Sequence, residues 1–361
     1  MQRTTTGTRR RTLATGAATT LALLALAACS GGDDAAGGDD ASSGGTVTLV
    51  THDSFAVSDE VLAAFEEESG LTVEQVAPGD GGALVNQLIL TKESPLGDVV
   101  FGIDNTFASR AIDEGVLDPY TPAGLSDSAA SYAVGDGGEL TAIDLGDVCV
   151  NVDHAWFDEA GVPEPVTLED LTKPEYEDLL VVTNPATSSP GLAFLLATVG
   201  AYGEDGFEDY WADLRANGVK VVDGWSDAYY VDFSGSEGAG PRPLVLSYST
   251  SPAFTLTEDG TASTTGALLD TCFRQVEYAG VLANAKNPEG AQRLLDFLVS
   301  EPFQADVPGQ MYMYPADDSV ALPDGWAEFA PLADEPFEVA PEDVSAHRDE
   351  WIKAWTATVV D

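Results

Sequence analysis

Thr46-Val47-Thr48-Leu49-Val50, then Ser58 ahead of Val61, Leu62 and Phe65, then Gly70, then Thr72 to Val76, is the stretch that decides the fold. Its ends are short β-branched runs of strand type. Between them the apolar residues recur at helical spacing, with Ser58 as a hydroxyl N-cap and Gly70 as the stop. The alternation continues through a glycine-rich turn, Pro78-Gly79-Asp80-Gly81-Gly82, and a helical stripe of Leu84, Val85, Leu88 and Ile89. Asp98-Val99-Val100-Phe101 is a short buried strand, and the helix after it ends at Gly115. Strands alternating with helices predict an α/β protein with a mostly parallel sheet covered on both faces.

A second alternating run follows Cys149. Leu179 to Val182, Val219 to Val222 and Leu244-Val245-Leu246 are strand-like, while Gly191 to Val199 and Gly206 to Ala216 are helical. Arg274 to Tyr278 reads as a strand returning to the first lobe, and Asn287 caps a helix from Pro288. The last helix carries Val344, Trp351 and Trp355 on one side and is expected to dock on a lobe.

The first thirty residues have another purpose. Arg3 and Arg9-Arg10-Arg11 precede the apolar stretch Leu21 to Ala25 and then Leu26-Ala27-Ala28-Cys29. A basic start, a short apolar core and small residues before the cut describe an export signal. The ending resembles a bacterial lipobox, in which Cys29 is acylated; residues 1–28 are then a lipoprotein signal peptide. Residues 29–45 are almost all Gly, Ser, Ala and Asp, a flexible tether with nothing to bury. These residues place the protein outside the cytoplasm, on the outer face of the cytoplasmic membrane, held there by lipid alone.

Removing signal and tether leaves roughly 315 residues, more than one core usually organises, so two lobes are expected. The formal charge is −46, from 61 acidic and 15 basic residues; without the four arginines of the signal it is −50. That field repels nucleic acid and anionic lipid and modestly favours cationic ligands, or is simply an adaptation for solubility. No later segment has the length and apolarity of a membrane span. With Cys29 assigned to lipid, Cys149 and Cys272 are an even pair in an oxidising compartment, either a disulfide or two buried thiols.

Open α/β sheets bind ligands at the carboxyl ends of their strands. The loops there are Thr51 to Ala56, Pro78 to Gly82, Thr183 to Gly191, Asp223 to Tyr229 and Ser247 to Phe254. They are rich in aromatics, hydroxyls and glycine, and poor in the His, Cys and Lys that most chemistry needs. Asp80-Gly81-Gly82 and Thr187-Ser188-Ser189-Pro190-Gly191 each precede a helix, where free N–H groups suit a phosphate or hydroxyl, or serve plain capping. Trp225, Tyr229, Tyr248, Phe254 and Tyr312 offer faces that stack on a heterocycle and attract a positive ring, or simply fill a core. His52, His154 and His347 show no metal-ligand spacing, so no metal and no cofactor is expected.

At these loops the chain resembles the bacterial thiamine-binding proteins, the solute receptors of thiamine ABC importers. The resemblance is carried by His52-Asp53-Ser54-Phe55, Asp80-Gly81, Asp98 to Asn105, Thr187 to Leu192, Gly224 to Tyr229, Leu246 to Phe254 and Met313-Tyr314-Pro315, in order from Thr46 to Trp355. It implies a type II periplasmic-binding-protein fold: two α/β lobes with a ligand cleft between them, joined by crossover hinge strands near Thr141 to Val150 and Leu268 to Tyr278. The lobes would be 46–143, 144–270 and the return segment 271–335, with 336–361 as the docked C-terminal helix. By position, Asp80, Gly81, Ser188 and Trp225 would hold the hydroxyethyl or phosphate end of thiamine or a thiamine phosphate. His52, Tyr248, Phe254 and Tyr312 would surround the rings. The implied partner is the ABC permease, and the protein is expected to be a monomer and not an enzyme.

Two other functions fit parts of the sequence. Thiamine-degrading transferases are similar in fold and use a cysteine nucleophile, for which Cys149 is the candidate; a disulfide to Cys272 excludes it. The pair Tyr229-Tyr230 resembles the adjacent phenolates of bacterial ferric-ion receptors, with His52 as a further ligand.

Overall fold

In the computed structural model, β1 (Thr46–Thr51) is followed by α1 (Asp59–Ser69), β2 (Thr72–Val76), α2 (Gly81–Leu90) and β3 (Val99–Asp104). The described residues are 45–236 and 240–361, and 45–361 belong to one compact unit. The signal, Cys29 and all of the tether but Gly45 lie outside them. The local signals act as read: the Ser58 hydroxyl accepts from the Val61 amide, and Gly70 takes the left-handed cap that ends α1. β1 pairs in parallel with β2 on one side and β3 on the other. The chain continues through α3 (Ala108–Asp113), β4 (Leu117–Asp118) and α4 (Asp127–Ser131) into β5 (Thr141–Asp153), which is buried along its whole length.

Beyond β5 come α5 (His154–Ala160), β6 (Leu180–Thr183), α6 (Ser189–Tyr202), α7 (Phe207–Ala216), β7 (Lys220–Val222) and β8 (Leu244–Tyr248). Here β6 pairs in parallel with β7 and β8. The 18-residue β9 (Thr265–Leu282) then runs back, followed by α8 (Pro288–Leu298), α9 (Glu301–Met311), β10 (Tyr314–Pro315), α10 (Trp326–Phe329) and α11 (Pro341–Val359). The main sheet runs β2-β1-β3-β9-β5-β8-β6-β7. It is not mostly parallel as the alternation predicts. β9 is antiparallel to both β3 and β5, and β5 is antiparallel to β8, so a central antiparallel band separates two parallel ends. Two crossing strands that run in opposite directions between the ends impose that band, and local strand–helix order does not reveal it.

β5 and β9 are paired almost end to end, with bulges between Ala142 and Asp144 and between Val148 and Val150. At the second bulge the sulfurs of Cys149 and Cys272 are bonded, with Cα atoms 4.2 Å apart. Both residues are fully buried. The last helix buries Val344, Trp351 and Trp355. Trp355 packs edge-on against Trp211 of α7 at 5.6 Å, while Arg348 lies 5.7 Å from the ring centre of Phe107, just before α3. That helix therefore packs against helical segments at both ends of the sheet.

Candidate functional site

A cavity of about 230 Å³ opens between the two ends of the sheet, beside the central band. One wall comes from the loop after β1. His52 is 7% exposed, and its Nδ1 accepts from the Ser54 amide at 3.2 Å, which leaves Nε2 to carry the proton. Nε2 is 3.6 Å from Glu277 Oε2 on β9. Burial works against a charged imidazole, but the carboxylates of Glu277, then Asp80 and Asp53, outweigh it and raise the His52 pKa.

Asp80 caps α2 and joins the two walls. Its Oδ1 accepts from the amides of Gly81 at 2.5 Å and Ser189 at 3.2 Å, and its Oδ2 accepts from the Trp225 amide at 2.9 Å. Burial nonetheless raises its pKa, more than those donors lower it. Backbone alone makes a second contact between the walls, where the Ala83 amide donates to the Thr187 carbonyl at 2.9 Å. Gly82 permits this approach: a Cβ there would stand 2.7 Å from the Thr187 carbonyl carbon and 2.9 Å from the Ala186 oxygen.

Aromatic faces make the rest. The Trp225 indole stacks on Tyr229 with centroids 4.9 Å apart, and its Nε1–H donates to Ser247 Oγ at 2.9 Å. Tyr248, at the end of β8, points its hydroxyl at Gln275 Oε1, 3.4 Å away. Tyr312 follows α9 in the left-handed region with φ of 61°, and the Thr250 hydroxyl donates to its carbonyl. Its ring stacks on Phe254, centroids 3.5 Å apart.

Of the residues expected at the site, His52, Asp80, Trp225, Tyr248 and Tyr312 line the cavity. Gly81, Ser188, Tyr229 and Phe254 do not. Gly81 donates its amide to Asp80, and Ser188 caps α6, its hydroxyl donating to Thr183 Oγ1 while its neighbour Ser189 reaches the cavity. Tyr229 and Phe254 stand behind Trp225 and Tyr312 and brace them. Sequence reasoning missed Glu277 and the two residues ahead of Tyr312, Gln310 and Met311. An acid inside the strand-like run Gln275-Val276-Glu277-Tyr278 is the signal that points to Glu277; α9, which carries Gln310, has no comparable mark.

Glu277 is one of several buried acids here. Its register partner across the β5–β9 ladder is Asp144, fully buried, with no hydrogen-bond donor on either oxygen. Burial and then the charge of Glu277 push the Asp144 pKa well up. Asp104 is raised to about 6, chiefly by burial, although Thr106 donates to it from both amide and hydroxyl. Among the described residues, no lysine or arginine lines the cavity. The Tyr229 and Tyr230 rings meet edge to face, centroids 5.3 Å apart, but Tyr229 lies off the cavity and Tyr230 on it, so the two do not line it together. Cys149, bonded and away from the cavity, offers no thiolate.

Residues 94–332 match the family model for the bacterial extracellular solute-binding protein. The chain belongs to that family. This solute-binding protein is 32% identical to the thiamine-binding periplasmic protein of Salmonella typhimurium, over 87% of its own chain and 93% of the relative. Among solved structures it is similar to a periplasmic thiamin binding protein, with TM-score 0.77, 30% identity and coverage of 88% and 96% of the two chains. It also shares its fold with the ferric binding protein of Campylobacter jejuni, at TM-score 0.69, 15% identity and coverage of 86% and 99%. The type II periplasmic-binding-protein fold, the family resemblance and the expectation of a binding protein rather than an enzyme all agree with this membership.

Proposed function

We propose that this chain is an extracytoplasmic receptor that binds thiamine and delivers it, as a monomer, to an ABC import permease. A lipid on Cys29 holds it on the outer face of the cytoplasmic membrane. The observation that carries the reading is the cavity itself. Aromatic rings from both ends of the sheet, Trp225 and Tyr248 on one side and Tyr312 on the other, surround a space lined by carboxylates and, among the described residues, by no lysine or arginine. A flat, positively charged, two-ring ligand suits that lining, and relatives at about a third identity bear a thiamine-binding name.

The lobe boundaries fall on the crossing strands, at 143/144 in β5 and 270/271 in β9, with the hinge there. Ligand closes the lobes by adding contacts that the open form lacks. Asp80 already occupies the amides of Gly81, Ser189 and Trp225. A phosphate ester binds only where its phosphate displaces that carboxylate, so thiamine is the better ligand. Calorimetric titration with thiamine and its monophosphate tests the reading: one-to-one binding, tighter for thiamine, is expected. Absence of heat with both compounds would refute it.

A further inference from the structure

Glu277 is an unusual group to find on a strand in the middle of a sheet. It is 4% exposed, yet it lines the cavity. Its Oε1 accepts from Gln275 Nε2 at 3.0 Å, and Gln275 in turn receives the Tyr248 hydroxyl. Its Oε2 faces His52 Nε2, which makes no hydrogen bond among the described residues although the ring is more than nine-tenths buried. Behind it stands Asp144. Two carboxylates in register and out of water repel each other, and burial together with the charge of Glu277 favours the protonated form of Asp144. A buried charge on Glu277 is costly without a counter-charge, and among the described residues the lining supplies none but an imidazole 3.6 Å away.

We propose that Glu277 is the specificity residue of this cavity: it reads the positive charge of a cationic heterocycle, with Asp144 as the positioning residue that keeps the pair at a single negative charge. The ligand's cationic ring then completes the counter-charge that His52 supplies only in part. The inference deepens the thiamine reading and rests on it for the choice of ligand. It separates charge recognition at Glu277 from the cation–π attraction of Trp225, Tyr248 and Tyr312, which also favours a charged ring but is left in place when Glu277 alone is changed.

The test uses the chain from Gly45, titrated calorimetrically with thiamine and with its deaza analogue, in which a neutral thiophene replaces the thiazolium. The unaltered protein is expected to prefer thiamine by about tenfold or more, the scale of one desolvated charge contact. Glu277→Gln, near-isosteric and uncharged, is expected to erase most of that preference by weakening thiamine alone. Glu277→Asp, which restores the carboxylate, should recover part of it. If Glu277→Gln does not fold, Glu277→Asp decides: a variant with its carboxylate drawn back that keeps the full preference overturns the inference. Equal affinity for the two compounds in that protein, or a Glu277→Gln variant that keeps the preference, overturns the inference while thiamine binding itself stands. If the protein ignores thiamine but binds another heterocyclic cation, N-methylnicotinamide, and loses it in Glu277→Gln, the inference stands and the thiamine reading falls.

Discussion

Gly82→Ala separates closure from folding. Gly82 sits in the first turn of α2, where alanine is normally better than glycine by about 1 kcal/mol. Away from any partner, the substitution would therefore stabilise the helix. In the structure its Cβ would meet three backbone atoms of the opposite wall: the Thr187 carbonyl carbon at 2.7 Å, the Ala186 oxygen and the Thr187 Cα at 2.9 Å. Backbone cannot rotate away as a side chain does, so α2 and the Thr187 loop must separate. Overpacking of this kind costs about 1–3 kcal/mol. Losing the bond from the Ala83 amide to the Thr187 carbonyl adds about 1 kcal/mol. The helix gain is common to the open and closed forms and cancels, so the closed form loses about 2–4 kcal/mol relative to the open one, and thiamine affinity should fall by about 30- to 900-fold. The melting temperature without ligand should not fall, because opening relieves the clash and leaves the helix gain. Calorimetry and thermal unfolding read the two effects separately. Gly81→Ala is the comparison, since its nearest neighbour is the Ser189 hydroxyl, the mobile end of a side chain; it should cost less. A Gly82→Ala protein that binds thiamine as tightly as before would mean that the Ala83–Thr187 contact is not part of the closed, ligand-bound form.

Trp225→Ala should weaken thiamine binding by about 1–3 kcal/mol, the usual cost of a buried aromatic anchor, whereas Trp351→Ala on α11 should lower the melting temperature and leave affinity nearly unchanged. Equal affinity losses at both positions would mean that the site is misplaced. A bond between Cys149 and Cys272 closes 123 residues, and reducing it should cost up to about 5 kcal/mol of stability while thiamine still binds, because neither sulfur lines the cavity. Two free thiols in the denatured, unreduced protein would contradict this. Asp104, with a folded pKa of about 6, binds more protons folded than unfolded between about pH 4 and 6. Its contribution to stability therefore declines as pH rises through that window, and Asp104→Asn should remove up to about 3 kcal/mol of that decline in denaturant titrations across it.

Most elements were legible because their signals are local. Ser58 and Gly70 bracket α1, Asn287 and Pro288 start α8, and β-branched runs mark β1, β3 and β6. The orientation of β9 was not, since antiparallel pairing with β3 and β5 is set by residues far apart in the chain. At the site, the aromatic and acidic residues at strand ends, Trp225, Tyr248 and Asp80, announced themselves by type and place. Phe254 and Tyr229 have the same composition but face backwards, a matter of rotamer and packing that loop sequence does not carry. Glu277 was overlooked for the opposite reason: it lies within a strand and reaches the cavity only because β9 crosses beneath it.

Thiamine binding itself is the central claim, and native mass spectrometry of the freshly purified chain from Gly45, followed by calorimetric titration, tests it most directly. The account predicts a single bound thiamine, retained or restored one to one, with a change in tryptophan fluorescence that Trp225→Phe abolishes. A protein that takes neither thiamine nor its monophosphate, yet binds ferric ion tightly, would contradict it.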